Sequence, residues 1–496
     1  MQFKKIAAAC AVAFAAAPAF ALSAFDTADL TVYLSGASAP DNFLETLATG
    51  MYTGTKGTDW FAYVDSGDGK QQRAFFGTMK GTTDGVPASL AGKKVLFIKR
   101  STGGSVFGVN PVARAEALAV LDRNAATCTA TTGSYNYKCP VVGVDPGVGT
   151  PTGQEMVPDF GVSDVSPAMF KEPLNVEFGK TQLSPAEVAG MTITQVNTLA
   201  MGLAVTNAIP DTTYFSRAVY GALLSGNLTG WKQAANLTVG TDIGDGVGDK
   251  DGVIVCRRVP GSGTQTSYNW FFNNFPCTVD SIAGSGNTQP TRMTDSASGI
   301  VSGSGTSADP FVIDPSAGYT VLENSSSGNV ADCMTKAAAG GVHTFKDEEG
   351  KSYSVNFGAG GYGAVAVLSV DSLGKSSNAA NGWSYRALDG AGMYYDNDPT
   401  SAVVPASTGT GVHPSKANLI EGKYEFASEL TMQYRSSLAG LKKDFADFFI
   451  GRAGAPAFNT SAWVAALPPT YDPTTTANVA KGTRGGNMCK PLQRLF

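Results

Sequence analysis

Histidine is almost missing from this chain: 496 residues contain two, His343 and His413. No cysteines stand as Cys-x-x-Cys. The two shortages argue against a zinc site and leave catalysis by a histidine base poorly supplied. No Gly-x-Ser-x-Gly occurs, so the elbow of a serine hydrolase is absent. Charge is sparse at 16%, and acidic residues outnumber basic ones 41 to 36. That balance argues against nucleic acid as a partner, because a phosphate backbone demands a basic surface. Beyond residue 21 no apolar run reaches the ~18 residues that a membrane span requires.

What is present begins with an address. Lys4 and Lys5, the apolar run Ile6 to Ala17 and the small-x-small Ala19-Phe20-Ala21 read as a cleaved signal peptide over residues 1–21. The mature chain is expected to start at Leu22 and to be periplasmic or secreted. Without Lys4 and Lys5 the count is 34 basic to 41 acidic residues, a net −7. That does not bar an anionic ligand, since a buried cradle of N–H groups acts locally. Six cysteines remain: Cys128, Cys139, Cys256, Cys277, Cys333 and Cys489. An even count in an exported protein reads as three disulfides. Cys128 pairs with Cys139 because both lie in one short loop. Cys256 with Cys277 is expected because they bracket one strand and helix, which leaves Cys333 with Cys489.

Gly and Ser are abundant, as in a loop-rich exported protein. Leu30 to Leu34 reads as a strand, followed by a Gly36 loop and a helix over Asn42 to Leu47. Lys94 to Arg100 reads as a buried parallel strand ending at Ser101-Thr102-Gly103-Gly104. Strand, Gly-rich turn and helix recur at three sites, which predicts an α/β fold with ligand loops at the strands' carboxyl ends. Asn124 to Val157 and Ser281 to Ser316 look inserted. Ser436 to Ile450 carries Leu438, Leu441, Phe445, Phe448 and Phe449 at helical spacing, a buried stripe.

The most informative segment is Arg257-Arg258-Val259-Pro260-Gly261-Ser262-Gly263-Thr264. It follows the β-prone run Gly252 to Cys256 and opens a helix-like run, Gln265 to Phe275. A helix start exposes unpaired N–H groups and a partial positive charge. Ser262 and Thr264 add hydroxyls, Gly263 lets an anion approach the backbone, and Arg258 supplies a planar fork. A second segment, Asp159-Phe160-Gly161-Val162-Ser163-Asp164, lies far upstream. Together the two resemble the phosphate-binding component of Pst-type ABC importers, a type 2 periplasmic binding protein family. Ser35 to Pro40, Ser101 to Gly104, Leu224 to Trp231, Gly328-Asn329-Val330 and Gly361 to Val370 follow the family's order.

The resemblance implies a two-lobed α/β fold whose chain crosses twice between lobes. One lobe is 22–205 plus 416–496 and the other 206–415. It implies Ser38, Ser101, Asp164, Arg258, Ser262, Gly263 and Thr264 as ligand residues. It implies inorganic phosphate or a similar oxyanion as ligand, and the membrane subunits of an importer as partners. It also implies a monomer that is no enzyme and needs no cofactor. Asp164 would accept a hydrogen bond from a protonated phosphate oxygen, which sulfate lacks at neutral pH; as a bare reading, it is a helix N-cap before Val165.

The chain departs from the family at three positions. Pro260 stands where an Asp usually pairs with the ligand arginine, so Arg258 needs another holder, with Asp164 a candidate. Pro40 and Asp41 replace a Thr-Phe pair, removing one N–H and adding a negative charge near the site. The alternative reading is a secreted structural protein that kept the fold and lost the ligand. Two further motifs fail: Gly374-Lys375-Ser376 has Ser369 in place of the P-loop's first glycine. The Asp245, Asp249, Asp251-Gly252 run lacks the first and last calcium ligands, where Val247 and Arg258 stand.

Overall fold

The computed structural model describes residues 22–67, 71–177, 179–234, 250–278, 290–296, 299–313, 318–372, 380–396, 405–468 and 478–495. The signal segment, the Gly374 motif, Asp245 and Asp249 lie outside them. Among the described residues, no helix is long and apolar enough to cross a membrane.

The first half is built on β1 (Leu30–Gly36), α1 (Asp41–Thr49), β2 (Trp60–Asp65), β3 (Gln72–Thr78) and β4 (Lys94–Arg100). It continues with β5 (Thr129–Ala130), β6 (Tyr137–Cys139) and β7 (Phe160–Ser163). Strand β8 (Met191–Thr206) then runs into the second half. There β9 (Ile254–Arg258) leads to α2 (Gly263–Asn273), β10 (Thr320–Asn324) to α3 (Ser327–Ala339), and β11 (Ala364–Ser369) follows. The chain returns through β12 (Ala427–Arg435) to α4 (Gly440–Gly454). The sheet order is β10-β9-β11-β8-β12-β7-β1-β4-β3-β2-β6-β5.

Two parallel trios lie within that order. β4, β1 and β7 run together in the first half, and β10, β9 and β11 in the second. Strand β8 joins them: residues 191–200 pair with β12 and residues 201–205 with β11. A single strand too long for one half therefore carries the crossing. The carboxyl ends of both trios meet, since the Ser369 hydroxyl at the end of β11 donates to the Ala39 carbonyl beyond β1 (3.0 Å).

Residues 124–157 are not a detached loop. They contribute β5 and β6, which extend the sheet beyond β2. Of 281–316, the described part forms a short helix, Met293–Ser296, and the strands Ile300–Ser302 and Phe311–Ile313, which belong to a separate four-stranded sheet. The closing helix starts later than expected, at Gly440 rather than Ser436, because a turn from Arg435 to Leu438 (2.8 Å) precedes it. Of the expected stripe, Phe445 and Phe449 are core and pack on Phe97 and Phe160, Leu441 and Phe448 are half-buried, and Leu438 falls before the helix. The Leu224 to Trp231 segment is also structural. Gly226 ends a helix at φ +78°, and buried Trp231 donates its indole N–H to the Gly363 carbonyl (2.9 Å).

Three disulfides form, and two pairings correct the expectation. Cys128–Cys139 stands, but Cys256 joins Cys333 and Cys277 joins Cys489. Successive strand residues point to opposite faces. Ile254 and Cys256 face α3 with Val330, Cys333 and Met334, whereas Val253 and Val255 face the α2 side with Tyr268 and Phe271. Cys256 thus points away from the helix that leads to Cys277. The chain's end runs along α2 instead, with Arg484 over the Trp270 ring (4.6 Å), and delivers Cys489 to Cys277. Peptide mapping of unreduced protein should recover the 256–333 and 277–489 pairs. Removing the Cys277–Cys489 bridge should lower stability by roughly 2–5 kcal/mol.

Candidate functional site

The arginine-bearing segment folds as a strand, a turn and a helix start. Gly261 takes φ +81°, which only glycine adopts freely, and Ser262 caps α2 by accepting from the Gln265 N–H (3.4 Å). Gly263 is required for a different reason. A Cβ there would lie 2.2 Å from Ser105 Oγ and 2.7 Å from Asp164 Cβ. The glycine is where the two distant segments close on each other. The first half also reaches this turn through the Val106 N–H, which donates to the Gly261 carbonyl (3.0 Å).

Arg258 is 2% exposed. Its fork donates to Ser327 Oγ (2.9 Å), Ser38 Oγ (3.3 Å) and the Ser325 carbonyl (2.9 Å). Ser38 and Ser327 also share a hydrogen bond at 3.1 Å. Asp164 was a candidate to hold Arg258, but neutral oxygens do so. Among the described residues no carboxylate oxygen stands within ion-pair distance of this guanidinium. Burial lowers its pKa to about 10, against the opposing pull of Asp164 and Asp41. Among the described residues, Arg258 therefore has no contacting counter-ion.

Asp164, also 2% exposed, does not cap a helix. The short turn after it, Pro167–Met169, begins at Ser166. The Asp164 backbone N–H donates to Ser105 Oγ (3.2 Å), and Asp164 Oδ1 is buried with no hydrogen-bond partner among the described residues. Burial raises its pKa to about 6; Ser105, Arg258 and Lys99 pull it down, and Asp41 pushes it up. The Thr264 hydroxyl is likewise buried and unpartnered. Such groups are costly unless something satisfies them.

Ser101 sits differently from its expected place as a free donor. Its hydroxyl faces both Asp41 oxygens (2.9 and 2.8 Å) and accepts from Lys99 Nζ (2.6 Å). Lys99, 3% exposed, pairs with Asp41 at 2.8 Å, and Arg73 approaches Asp41 at 3.5 Å. Asp41 does face inward. Burial alone would raise its pKa, but Lys99 and Arg73 outweigh that and hold it below the usual value. The next residue ties the halves together: Asn42 donates its N–H to Asp371 Oδ2 (2.9 Å) and its amide to the Asp371 carbonyl (2.7 Å).

The structure thus brings Ser38, Asp164, Arg258, Ser262, Gly263 and Thr264 to the junction of the two trios, with Ser101 at its edge. Sequence reasoning missed Lys99, Arg73, Ser105 and Ser327. Lys99 had only a weak signal, one of two adjacent cations at the end of an apolar run. Ser105 and Ser327 had none, because their roles come from distant loops. Asp251 serves the fold, capping the Lys232 N–H at 2.7 Å.

Parallel strands from the two halves of an α/β chain thus converge on a shared polar junction. Solved structures with a similar chain path include an ABC-type phosphate transport receptor from Vibrio cholerae. It is 13% identical, with 85% of this chain and 93% of that one covered, at a TM-score of 0.35. PstS from Borrelia burgdorferi is 11% identical over 87% and 93%, at 0.32. A phosphate-binding protein from Stenotrophomonas maltophilia is 12% identical over 88% and 83%, at 0.33. Likenesses this loose carry no detail of the site. No family model and no curated protein matches the sequence.

Proposed function

We propose that this chain is an exported solute-binding protein that closes two lobes on phosphate or a similar tetrahedral oxyanion. The observation that carries this reading is the buried Arg258 guanidinium, which no carboxylate contacts among the described residues, beside an Asp164 Oδ1 and a Thr264 hydroxyl that find no hydrogen-bond partner among them. A protonated oxyanion meets all three needs. Its charge answers Arg258, an oxygen accepts from Thr264, and its own proton satisfies Asp164. Helix α2 adds the N–H groups of its first turn. The lobes are roughly 22–205 with 416–496, and 206–415, with one hinge where β8 passes from β12 to β11, between Ala200 and Met201, and the other near Ser415. The protein acts as a monomer in the periplasm or outside the cell, and hands its ligand to the membrane subunits of an importer.

Binding fits the cleft better than catalysis does, because neither histidine is at hand. His343 lies between Asp332 and Asn324, and His413 faces the Thr408 carbonyl.

Mass spectrometry of protein purified without phosphate should find a tetrahedral oxyanion bound. Calorimetry should show phosphate bound strongly and sulfate weakly. Small-angle scattering should give a smaller radius with phosphate if the lobes close. If no anion co-purifies and neither titrates, this reading fails and the structural-protein alternative takes its place.

A further inference from the structure

We propose that Asp41 is a resident counter-anion of the cleft, a carboxylate that takes the donors at one edge of the cradle and so limits the affinity for an external oxyanion. The inference rests on the oxyanion reading above and names the residue that tunes it.

Hydrogen counting supports it. A serine hydroxyl has one hydrogen to give. Ser101 already receives from Lys99 (2.6 Å), and both Asp41 oxygens lie within 2.9 Å, so its hydrogen goes to Asp41. An ammonium has three hydrogens. Lys99 Nζ has four oxygens in reach: Ala37 O (2.5 Å), Ser101 Oγ (2.6 Å), Asp41 Oδ1 (2.8 Å) and Gly36 O (3.2 Å). Lys99 and Ser101 are therefore both spent. Arg73 is divided between Asp41 and Glu45, each at 3.5 Å. The Asp41 carboxylate stands among an ammonium, a guanidinium and a hydroxyl, the company an incoming oxyanion would keep. It is also the first residue of α1, where the helix dipole favours a negative charge.

The position reaches the cradle. Asp41 N–H donates to the Ser38 carbonyl (3.3 Å), and Ser38 is one of the hydroxyls on Arg258. The Asp41 charge is felt at both Arg258 and Asp164. Any anion entering the cleft meets that charge in a buried setting, where Coulomb interactions are strong. A fully ionised anion meets it most strongly. The carboxylate thus lowers affinity overall and reinforces selection for the less charged ligand.

Calorimetric titration with inorganic phosphate tests this on four proteins: wild type, Asp41→Asn, Lys99→Met and the double variant, each checked by thermal melting. Asp41→Asn should bind phosphate roughly tenfold to hundredfold tighter, from loss of one like charge. Lys99→Met should bind at least about tenfold weaker, because Asp41 is then left with only Arg73, which it shares with Glu45. The double variant should return to within a few-fold of wild type, a rescue that a purely structural role would not produce. Should Asp41→Asn fail to fold, the double variant must still bind tighter than Lys99→Met. Wild-type binding with no gain in Asp41→Asn, or no rescue in the double variant, overturns the inference and leaves the oxyanion reading standing. A silent wild type with a binding Asp41→Asn supports it. Silence in all four removes both readings.

Discussion

Asp164→Asn is expected to make the free protein more stable and its cleft less discriminating. The stability gain follows from the raised pKa. Folding lifts the Asp164 pKa from 3.8 to about 6, chiefly by burial, so between those values the folded state holds a proton that the unfolded state has released. Stability then falls as pH rises through that window. Above it the ionised carboxylate costs about 3 kcal/mol, from roughly two pKa units at 1.36 kcal/mol each. Asparagine has no charge to bury, so thermal melting of the free protein at pH 7 should rise, and its decline between pH 4 and pH 6 should flatten. Selectivity should move the other way. The carboxylate faces a bare sulfate oxygen as acceptor against acceptor, whereas the asparagine amide can donate. The preference for phosphate over sulfate should therefore shrink by at least about tenfold. A variant with unchanged melting and an unchanged ratio would mean that Asp164 neither bears a buried charge nor touches the ligand.

Arg258→Ala should weaken phosphate and sulfate together, by roughly 2–5 kcal/mol. On the proposed reading the guanidinium is the charge that both anions use, and among the described residues no carboxylate pairs with it. The serine hydroxyls that hold it are neutral, so its removal leaves no buried carboxylate newly unpaired in contact with it. Arg258→Lys should fall between the two, keeping the charge but losing the fork that spans Ser327 and the Ser325 carbonyl. Calorimetry on the three proteins would separate charge from geometry. Retention of wild-type affinity by Arg258→Ala would show that the ligand lies elsewhere.

Much of this was legible in the chain. Lys94 to Arg100 reads as a buried parallel strand; it is buried and runs parallel to β1, but its other neighbour, β3, is antiparallel to it. The turn at Gly261-Ser262-Gly263 reads as a helix start, because glycine freedom and serine capping are local properties. The inward charge of Asp41 was also visible as a departure, though its partner was not. Lys99 lies 58 residues downstream of Asp41 and reads as an ordinary strand end. Only the parallel pairing of β1 with β4, Leu34 opposite Lys99, brings the two together.

Local chemistry in the sequence determined where anion-binding backbone could form, which strands would be buried and that the cysteines would be consumed in pairs. These depend on neighbours a few residues apart. The tertiary structure decided who meets whom. It sent Cys256 to Cys333 because a strand's two faces are covered by different helices. It gave Arg258 to Ser38, Ser327 and the Ser325 carbonyl, which arrive on loops from both halves. It also turned Ser101 from a free donor into the partner of a carboxylate. Long-range pairing depends on sheet register and on which face each helix covers, and neither is written in any short stretch of sequence.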